Sequence, residues 1–305
     1  MKRWSEGRHI NQPQQMPNSA WDPPVRRLYK LCVDSVRKLD GFSKDRSDIE
    51  FLFLPEVIAT RKRLRDCAER LMFHNPAEYG KKAEEITWRK CFYEPIQMCK
   101  QNLEATKSTC RALAQSLIAG GVGYYQKLIL RLQIECGDPE LQTLLKGISY
   151  SLKQYTWKKT LDLTRKQRSN WMLDTAHRSL LYIGDLYRYK NDISDTKSIT
   201  EAEYYYHMAI YLKPNVGTPH NQLGTLYGGK NFNIDAAYSY LRCNEGSELS
   251  SLCQSLLQQF ERTLYLLDYS EFDTDSSEMT HISYALLLKL IVLQLLAVKQ
   301  LQDQS

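Results

Sequence analysis

One helical pattern occurs twice in this chain, at an interval of 34 residues. In each copy a small residue is followed at helical spacing by an aromatic residue and then by a second small residue. The two copies occupy corresponding positions: Ala202, Tyr206, Ala209 and Ala236, Tyr240, Cys243. Such a repeat is typical of helical hairpins that stack on one another, so the sequence predicts two antiparallel helix pairs packed in register.

The segment Ser179–Lys190 places Gly184 on the apolar face of a predicted helix. A helical glycine costs about 1 kcal/mol relative to alanine, which indicates a packing reason, namely the close approach of a neighbouring helix. Arg188 and Tyr189 follow directly and offer a planar fork of donors beside a phenolic hydroxyl. Together they suit a phosphate or a carboxylate; a surface arginine beside a half-buried tyrosine is the alternative interpretation.

The composition is that of an ordinary globular protein with a mildly basic balance. The chain has 305 residues, a formal net charge of +6 and eight cysteines without a CxxC pair. Cysteines spread through helical patterns are typical of reduced, core-filling thiols in a cytosolic or nuclear protein. No P-loop, GxSxG or HExxH motif occurs, and the six histidines are scattered. The sequence therefore predicts no enzyme, no metal and no cofactor.

The chain shows no strand pattern, so we predict an all-α fold. Residues 1–20 are interpreted as a disordered lead-in, 21–200 as a helical layer that includes an unassigned connector at 137–170, 201–265 as the repeat helices, and 266–305 as an acidic loop with an apolar closing helix. That last helix is too short and too polar for a membrane. Within the layer, Pro95 is expected to kink one helix, and three glycines near 121 either break another or allow tight packing.

Three blocks of sequence carry a recognisable combination of residues: Leu71–Lys90, Tyr182–Tyr189 and Pro219–Tyr227. The middle block, with Gly-Asp-Leu-Tyr-Arg-Tyr, resembles the Gly-Asp-Tyr-Tyr-Arg-Tyr segment of 14-3-3 proteins. Trp88–Arg89 resembles the Trp-Arg pair of a 14-3-3 groove helix. Together the blocks resemble the 14-3-3-like domain of the nonsense-mediated mRNA decay adaptors, the SMG family related to a telomerase-associated Est protein, and the first block points to its SMG-five-like branch.

The resemblance covers roughly residues 21–265 and implies a 14-3-3-like, tetratricopeptide-type bundle of about nine or more antiparallel helices with a C-terminal helical-hairpin extension. It further implies a non-enzymatic adaptor that binds phosphoserine or phosphothreonine peptides in a concave groove. The expected partners are the phosphorylated upframeshift helicase, an SMG-seven-like protein in a heterodimer, and phosphatase or decay factors. The expected location is the cytoplasm with nuclear shuttling, and the chain is expected to be an N-terminal fragment of a longer protein.

The resemblance also implies which side chains hold the phosphopeptide. Arg188 and Tyr189 match the motif directly, and Asn221 matches an asparagine that holds the peptide backbone. The basic residues of the groove helix are out of register, and the position where the SMG-seven pattern has a lysine is Tyr93. Substitute cations are available nearby: Lys82, Arg89 and Lys90.

Two other functions remain open on the sequence alone. A basic stretch at 153–168 and the many tyrosines are compatible with an RNA-binding or telomere-associated protein. A dimerisation scaffold that does not depend on phosphate is the other alternative. Binding that requires a phosphate on serine or threonine favours the adaptor, whereas salt-dependent binding to any single strand favours RNA.

Overall fold

The computed structural model describes residues 23–44, 49–102, 107–135, 165–194, 199–228 and 234–243. All regular elements in these ranges are helical, which confirms the all-α prediction. The α-helices are α1 Pro23–Lys44, α2 Pro55–His74, α3 Lys81–Thr87, α4 Glu94–Gln101, α5 Lys107–Glu135, α6 Arg165–Ile193, α7 Thr200–Leu212, α8 Thr218–Gly228 and α9 Ile234–Cys243. A 3-10 helix, Ile49–Phe53, precedes α2, and the π-helical segments Pro76–Gly80 and Trp88–Tyr93 flank α3.

The described residues fall into two compact units, the first ending at Lys213 and the second beginning at Pro214. In the first unit α1 packs on α2, α5 on α6, and α6 on α7. In the second unit α8 packs on α9. The predicted lead-in 1–20 and the predicted elements beyond residue 243 lie outside the described residues, and the domain boundary predicted after residue 200 stays a prediction.

The beginnings and ends of the early helices follow from local chemistry. Proline occupies the first turn of α2, where its missing N–H costs nothing. Asn75 follows the last residue of α2, and its side chain accepts a hydrogen bond from the backbone N–H of Glu78 at 3.2 Å. The inner face of α2 has the predicted spacing, and its members are all buried: Leu64, Cys67, Ala68, Leu71 and Met72.

Helix α5 is continuous through its three glycines. A Cβ atom built on Gly121 would lie 2.8 Å from a methyl carbon of Leu186 and 3.1 Å from a ring carbon of Phe92. Gly120 and Gly123 have nothing within 4 Å of that position. Of the two alternatives that the sequence left open, tight packing is therefore correct, and Gly121 is the residue that permits it.

Both units bring a glycine against a tyrosine ring. A Cβ atom on Gly184 would lie 2.4 Å from the nearest ring carbon of Tyr206, which confirms the close approach predicted at Gly184. In the second unit a Cβ atom on Gly224 would lie 2.7 Å from the ring of Tyr240. The small and aromatic positions of the repeat are thus core positions in both copies, although Cys243 is only half-buried.

Helix α6 begins at Arg165, before the end of the predicted connector at 137–170, and most of that connector lies outside the described residues. Among the helices described here, none is both long and apolar enough to cross a membrane.

Candidate functional site

Helix α6 lies beside the continuous stretch formed by α3, the π-helical segment Trp88–Tyr93 and α4. Four pairs of side chains connect α6 to this stretch, and the pairs follow the same order along both. The two therefore run parallel, and one face of α6 contacts the whole stretch. The pairs are Glu84–Arg178, Trp88–Tyr182, Tyr93–Tyr189 and Lys100–Asp192. This arrangement brings Tyr189 of the arginine-tyrosine motif against the helix that carries the predicted Trp88–Arg89 pair.

The π-helical segment determines which side chains face Tyr189. The rings of Trp88 and Tyr93 lie 6.5 Å and 6.3 Å from that of Tyr189, measured between ring centroids. In an α-helix two residues five positions apart point about 140° away from each other. A π-helical turn closes its hydrogen bonds over five residues and so aligns them. Pro95, where the sequence predicts a kink, lies in the first turn of α4 immediately after this segment.

Arg188 forms hydrogen bonds with two side chains of its own unit. Its Nη2 donates to Asp185 Oδ1 at 3.1 Å, and its Nε donates to the Tyr206 hydroxyl at 3.3 Å. That hydroxyl in turn donates to the same Oδ1 atom at 2.7 Å. We call these three residues the Arg188 triad. The guanidinium also lies 4.7 Å from the centre of the Tyr189 ring.

The Arg188 triad holds its arginine firmly charged. Burial by itself lowers the pKa of Arg188, yet the adjoining Asp185 and its neighbours raise it above the ordinary value. Burial raises the pKa of Asp185, and the charge of Arg188 opposes that shift. Arg188 keeps 18% of its side chain exposed. Its contacts leave part of the five-donor guanidinium fork unused, so the group can accept a further anionic ligand.

The other predicted cations have different surroundings. Lys82 is exposed and lies 5.9 Å from the ring of Tyr79. Arg89 is 3.5 Å from Glu94, and 45% of its side chain is exposed. Lys90 is largely buried between Asp40 of α1, at 2.6 Å, and Glu94, at 2.7 Å. The contacts of these three residues do not include Arg188 or Tyr189, and their role in a groove stays a prediction.

Asn221 lies on α8, in the second unit. Its backbone N–H donates to the carbonyl of Gly217 at 3.0 Å, and its carbonyl accepts from the Thr225 hydroxyl, also at 3.0 Å. Its side chain is half-buried. Its role as a peptide-backbone ligand stays a prediction.

Lys100, which sequence reasoning did not single out, also lies against Tyr189. Its ammonium lies 5.2 Å from the centre of the Tyr189 ring and 2.6 Å from Asp192 Oδ2. Lys100 follows Tyr93 by two helical turns, so the spacing was a usable signal. The resemblance places the groove cations near Trp88, so it does not point to Lys100.

A buried ion pair joins α6 to α3 about three helical turns before Tyr189. Arg178 donates from Nε and from Nη2 to Glu84 Oε2, at 3.0 Å and 2.7 Å. Only 1% of the Glu84 side chain is exposed. Burial raises the pKa of Glu84 from 4.5 to about 7, although Arg178 acts in the opposite direction.

This shift gives the fold a pH dependence that Glu84→Gln should remove. Because Glu84 has a higher pKa in the folded state, the folded state binds more protons between pH 4.5 and 7, and stability falls as pH rises through that interval. Between pH 4.5 and 7 we expect the wild-type chain to lose roughly 3 kcal/mol of folding stability relative to the Glu84→Gln variant. Urea unfolding of both chains at a series of pH values measures the difference.

His177 changes the folding stability in the opposite direction over much of the same pH range, because burial lowers its pKa from 6.5 to about 4. Its effect is common to both chains and cancels in the comparison. Parallel stability curves for the two chains would contradict the pKa assigned to Glu84.

Comparison with known proteins agrees with this architecture. A family model described as "Telomerase activating protein Est1" matches residues 82–194, which include the helices around Tyr189. A second, described as "Est1 DNA/RNA binding domain", matches residues 202–298.

Curated relatives carry names from nonsense-mediated mRNA decay. "Nonsense-mediated mRNA decay factor SMG5" of Danio rerio is 38% identical over 221 residues, covering 72% of this chain and 20% of the relative. The protein of that name from Homo sapiens is 37% identical over 228 residues, covering 74% and 22%. "Nonsense-mediated mRNA decay factor SMG7" of Danio rerio is 25% identical over 218 residues, covering 70% and 18%.

The chain thus spans about a fifth of the length of the curated relatives it matches. The matched residues include both helices that frame Tyr189. The all-helical architecture of the chain is the 14-3-3-like fold of this family. The chain belongs to the Est1-related family of nonsense-mediated mRNA decay factors that includes SMG5 and SMG7.

Proposed function

We propose that this chain is a non-enzymatic adaptor module of nonsense-mediated mRNA decay that binds phosphoserine or phosphothreonine peptides. The observation that carries the proposal is the Arg188 triad beside Tyr189, in which a permanently charged guanidinium keeps part of its surface exposed. The expected ligand is a phosphorylated segment of the upframeshift helicase.

A phosphate suits this position for a chemical reason. A phosphoserine carries a charge of about −1.5 to −2 and three acceptor oxygens, and it prefers planar, bidentate donors such as a guanidinium. Asp185 and Tyr206 orient that guanidinium before the ligand arrives, so little side-chain entropy is lost on binding. The same carboxylate offsets the charge of Arg188, so we expect moderate affinity.

Titration calorimetry tests the proposal directly. The titrants are a phosphoserine-glutamine peptide from the helicase and its unphosphorylated twin, each added to this chain alone. We expect binding that depends on the phosphate. Binding to neither peptide would contradict the proposal and favour the phosphate-independent dimerisation scaffold.

Pairing with an SMG-seven-like chain is the second part of the proposal. An exposed aromatic patch supports it: Tyr204 is 50% exposed, and the ring of Tyr205 stacks on Tyr187 at 5.5 Å. Gln126 of α5 donates to the Tyr205 hydroxyl at 3.1 Å and extends the patch onto that helix. Clustered exposed aromatic groups are typical of protein interfaces rather than of free surfaces.

We expect Tyr204→Glu to weaken that pairing at least tenfold, because it places a charge in the centre of an apolar contact. Sedimentation of this chain mixed with the 14-3-3-like domain of SMG7 at micromolar concentration measures the effect. Phe53→Ser is the control, since Phe53 is a comparably exposed aromatic residue, at 42%, on the 3-10 helix. Two unassociated monomers in the wild-type mixture would contradict the pairing.

Single-stranded RNA is the alternative ligand, favoured by the description of the family model that matches residues 202–298. The same tyrosines are the side chains on which bases would stack. Salt-dependent binding of a single-stranded RNA, lost in Tyr204→Glu and indifferent to Arg188, would favour this alternative.

A further inference from the structure

We propose that Lys100 is the second phosphate-binding cation of this site, paired with Arg188 across the ring of Tyr189. The inference rests on the proposed function and assigns a ligand residue that the arginine-tyrosine motif does not contain. The observation behind it is that Arg188 and Lys100 both lie against one ring, 4.7 Å and 5.2 Å from its centre. Their separation is at most the sum of those two distances.

A single guanidinium already paired with a carboxylate is a poor match for a phosphate dianion. Asp185 offsets the charge of Arg188, so a second cation is needed to leave the site positive. Among the described residues, the cations against the Tyr189 ring are Arg188 and Lys100. Lys100 therefore supplies ammonium donors beside the motif arginine, and it adds net positive charge where its partner Asp192 is exchanged for the ligand.

The geometry of α4 directs Lys100 toward this site. Side chains in a helix lean toward its N-terminus, so the stem of Lys100 points back toward the turn that follows Tyr93. Tyr189 is itself buried, whereas Tyr93, whose ring lies 6.3 Å away, is 39% exposed, so part of this site faces solvent. The proposed phosphate lies between the Arg188 guanidinium and the Lys100 ammonium.

Lys100 is also available for a ligand. Its side chain is 27% exposed, and of its three ammonium protons one is engaged by Asp192. Asp192 is itself 40% exposed, so water and salt weaken this ion pair. Exchange of Asp192 for a phosphate, or sharing of the ammonium between them, requires no rearrangement of the core.

The test compares two variants that act on the same ion pair. Lys100→Gln removes the cation, and we expect it to weaken binding of the phosphoserine peptide about tenfold and to leave the unphosphorylated peptide unaffected. Asp192→Asn frees the cation, and we expect it to strengthen binding of the phosphoserine peptide a few-fold. Calorimetry provides both affinities, and urea unfolding checks that both variants are folded.

A second ion pair whose carboxylate lies on α6 provides the control. Lys213 and Asp174 lie 2.5 Å apart with side-chain exposures of 31% and 44%, close to those of Lys100 and Asp192. Asp174 is about 20 Å from Tyr189 along α6. Lys213→Gln and Asp174→Asn should therefore leave the affinity for the phosphoserine peptide within twofold of the wild-type value.

Three results would overturn the inference in distinguishable ways. An unchanged affinity in Lys100→Gln, with loss of binding in Arg188→Gln, leaves the proposed function intact and removes Lys100 from the site. Equal weakening in Lys100→Gln and Asp192→Asn shows that Lys100 acts only by holding Asp192. A wild-type chain that does not distinguish the two peptides removes the proposed function and this inference with it.

Discussion

Gly184→Ala should destabilise the fold by about 2 kcal/mol or more, the reverse of what the same exchange does in an open helix. The added methyl group would lie 2.4 Å from a ring carbon of Tyr206. That ring is fully buried, and its hydroxyl is held by Asp185 at 2.7 Å, so it cannot move aside without losing a buried hydrogen bond. The cost of this overlap outweighs the gain of about 1 kcal/mol from helix propensity.

Gly120→Ala is the matched control within α5. Nothing lies within 4 Å of the position that its Cβ atom would take, so only the propensity term remains. We expect this variant to be more stable than the wild-type chain by up to about 1 kcal/mol. Urea unfolding measures both variants, and shifts of the same sign would contradict the packing described for Gly184.

Arg188→Gln should abolish discrimination between the phosphorylated and unphosphorylated peptides, with a loss of affinity on the order of 100-fold. Glutamine keeps a polar group of similar reach but loses the charge and the donor fork. It also leaves Asp185, which is 8% exposed, without its cation. We therefore expect a second effect, a loss of folding stability of about 2 kcal/mol or more.

The double variant Asp185→Asn with Arg188→Gln separates the two effects. It removes both charges together, so most of the stability should return while phosphopeptide binding stays absent. Arg188→Glu is a poorer test because it would place a second carboxylate beside Asp185. Recovery of phosphopeptide affinity in the double variant would show that Arg188 supports the fold and does not touch the ligand.

The sequence predicted those parts of the molecule that depend on one helix and its repeat. The small and aromatic positions around Tyr206 and Tyr240 are core positions, and Gly184 is approached closely, because period and residue size determine both. At Gly121 two alternatives stayed open on the sequence alone. Residues 120, 121 and 123 are identical in type, and only the neighbouring Leu186 and Phe92 distinguish the buried one.

The sequence predicted individual residues of the candidate site but not their arrangement. Arg188 and Tyr189 were identified from a local motif, but the partners of Arg188 come from another helix and from a turn earlier on its own. The π-helical segment could not be predicted from a 3.6-residue period, since it changes the rotation of every residue after Trp88. Lys100 was not singled out because the resemblance places the groove cations near Trp88, whereas Lys100 lies on the following helix, α4.

One tyrosine belongs to the repeat and to the site at the same time. The ring of Tyr206 fills the space above Gly184, and its hydroxyl contacts Arg188 and Asp185. Transient opening of α7 therefore releases the arginine from its orientation, and a ligand that needs the oriented arginine opposes that opening. Backbone amides of α7 should exchange with solvent more slowly when a phosphopeptide is bound. Slower amide exchange would then extend to α7, a helix with no predicted ligand residue. Hydrogen exchange in the repeat therefore reports whether the phosphopeptide site is occupied.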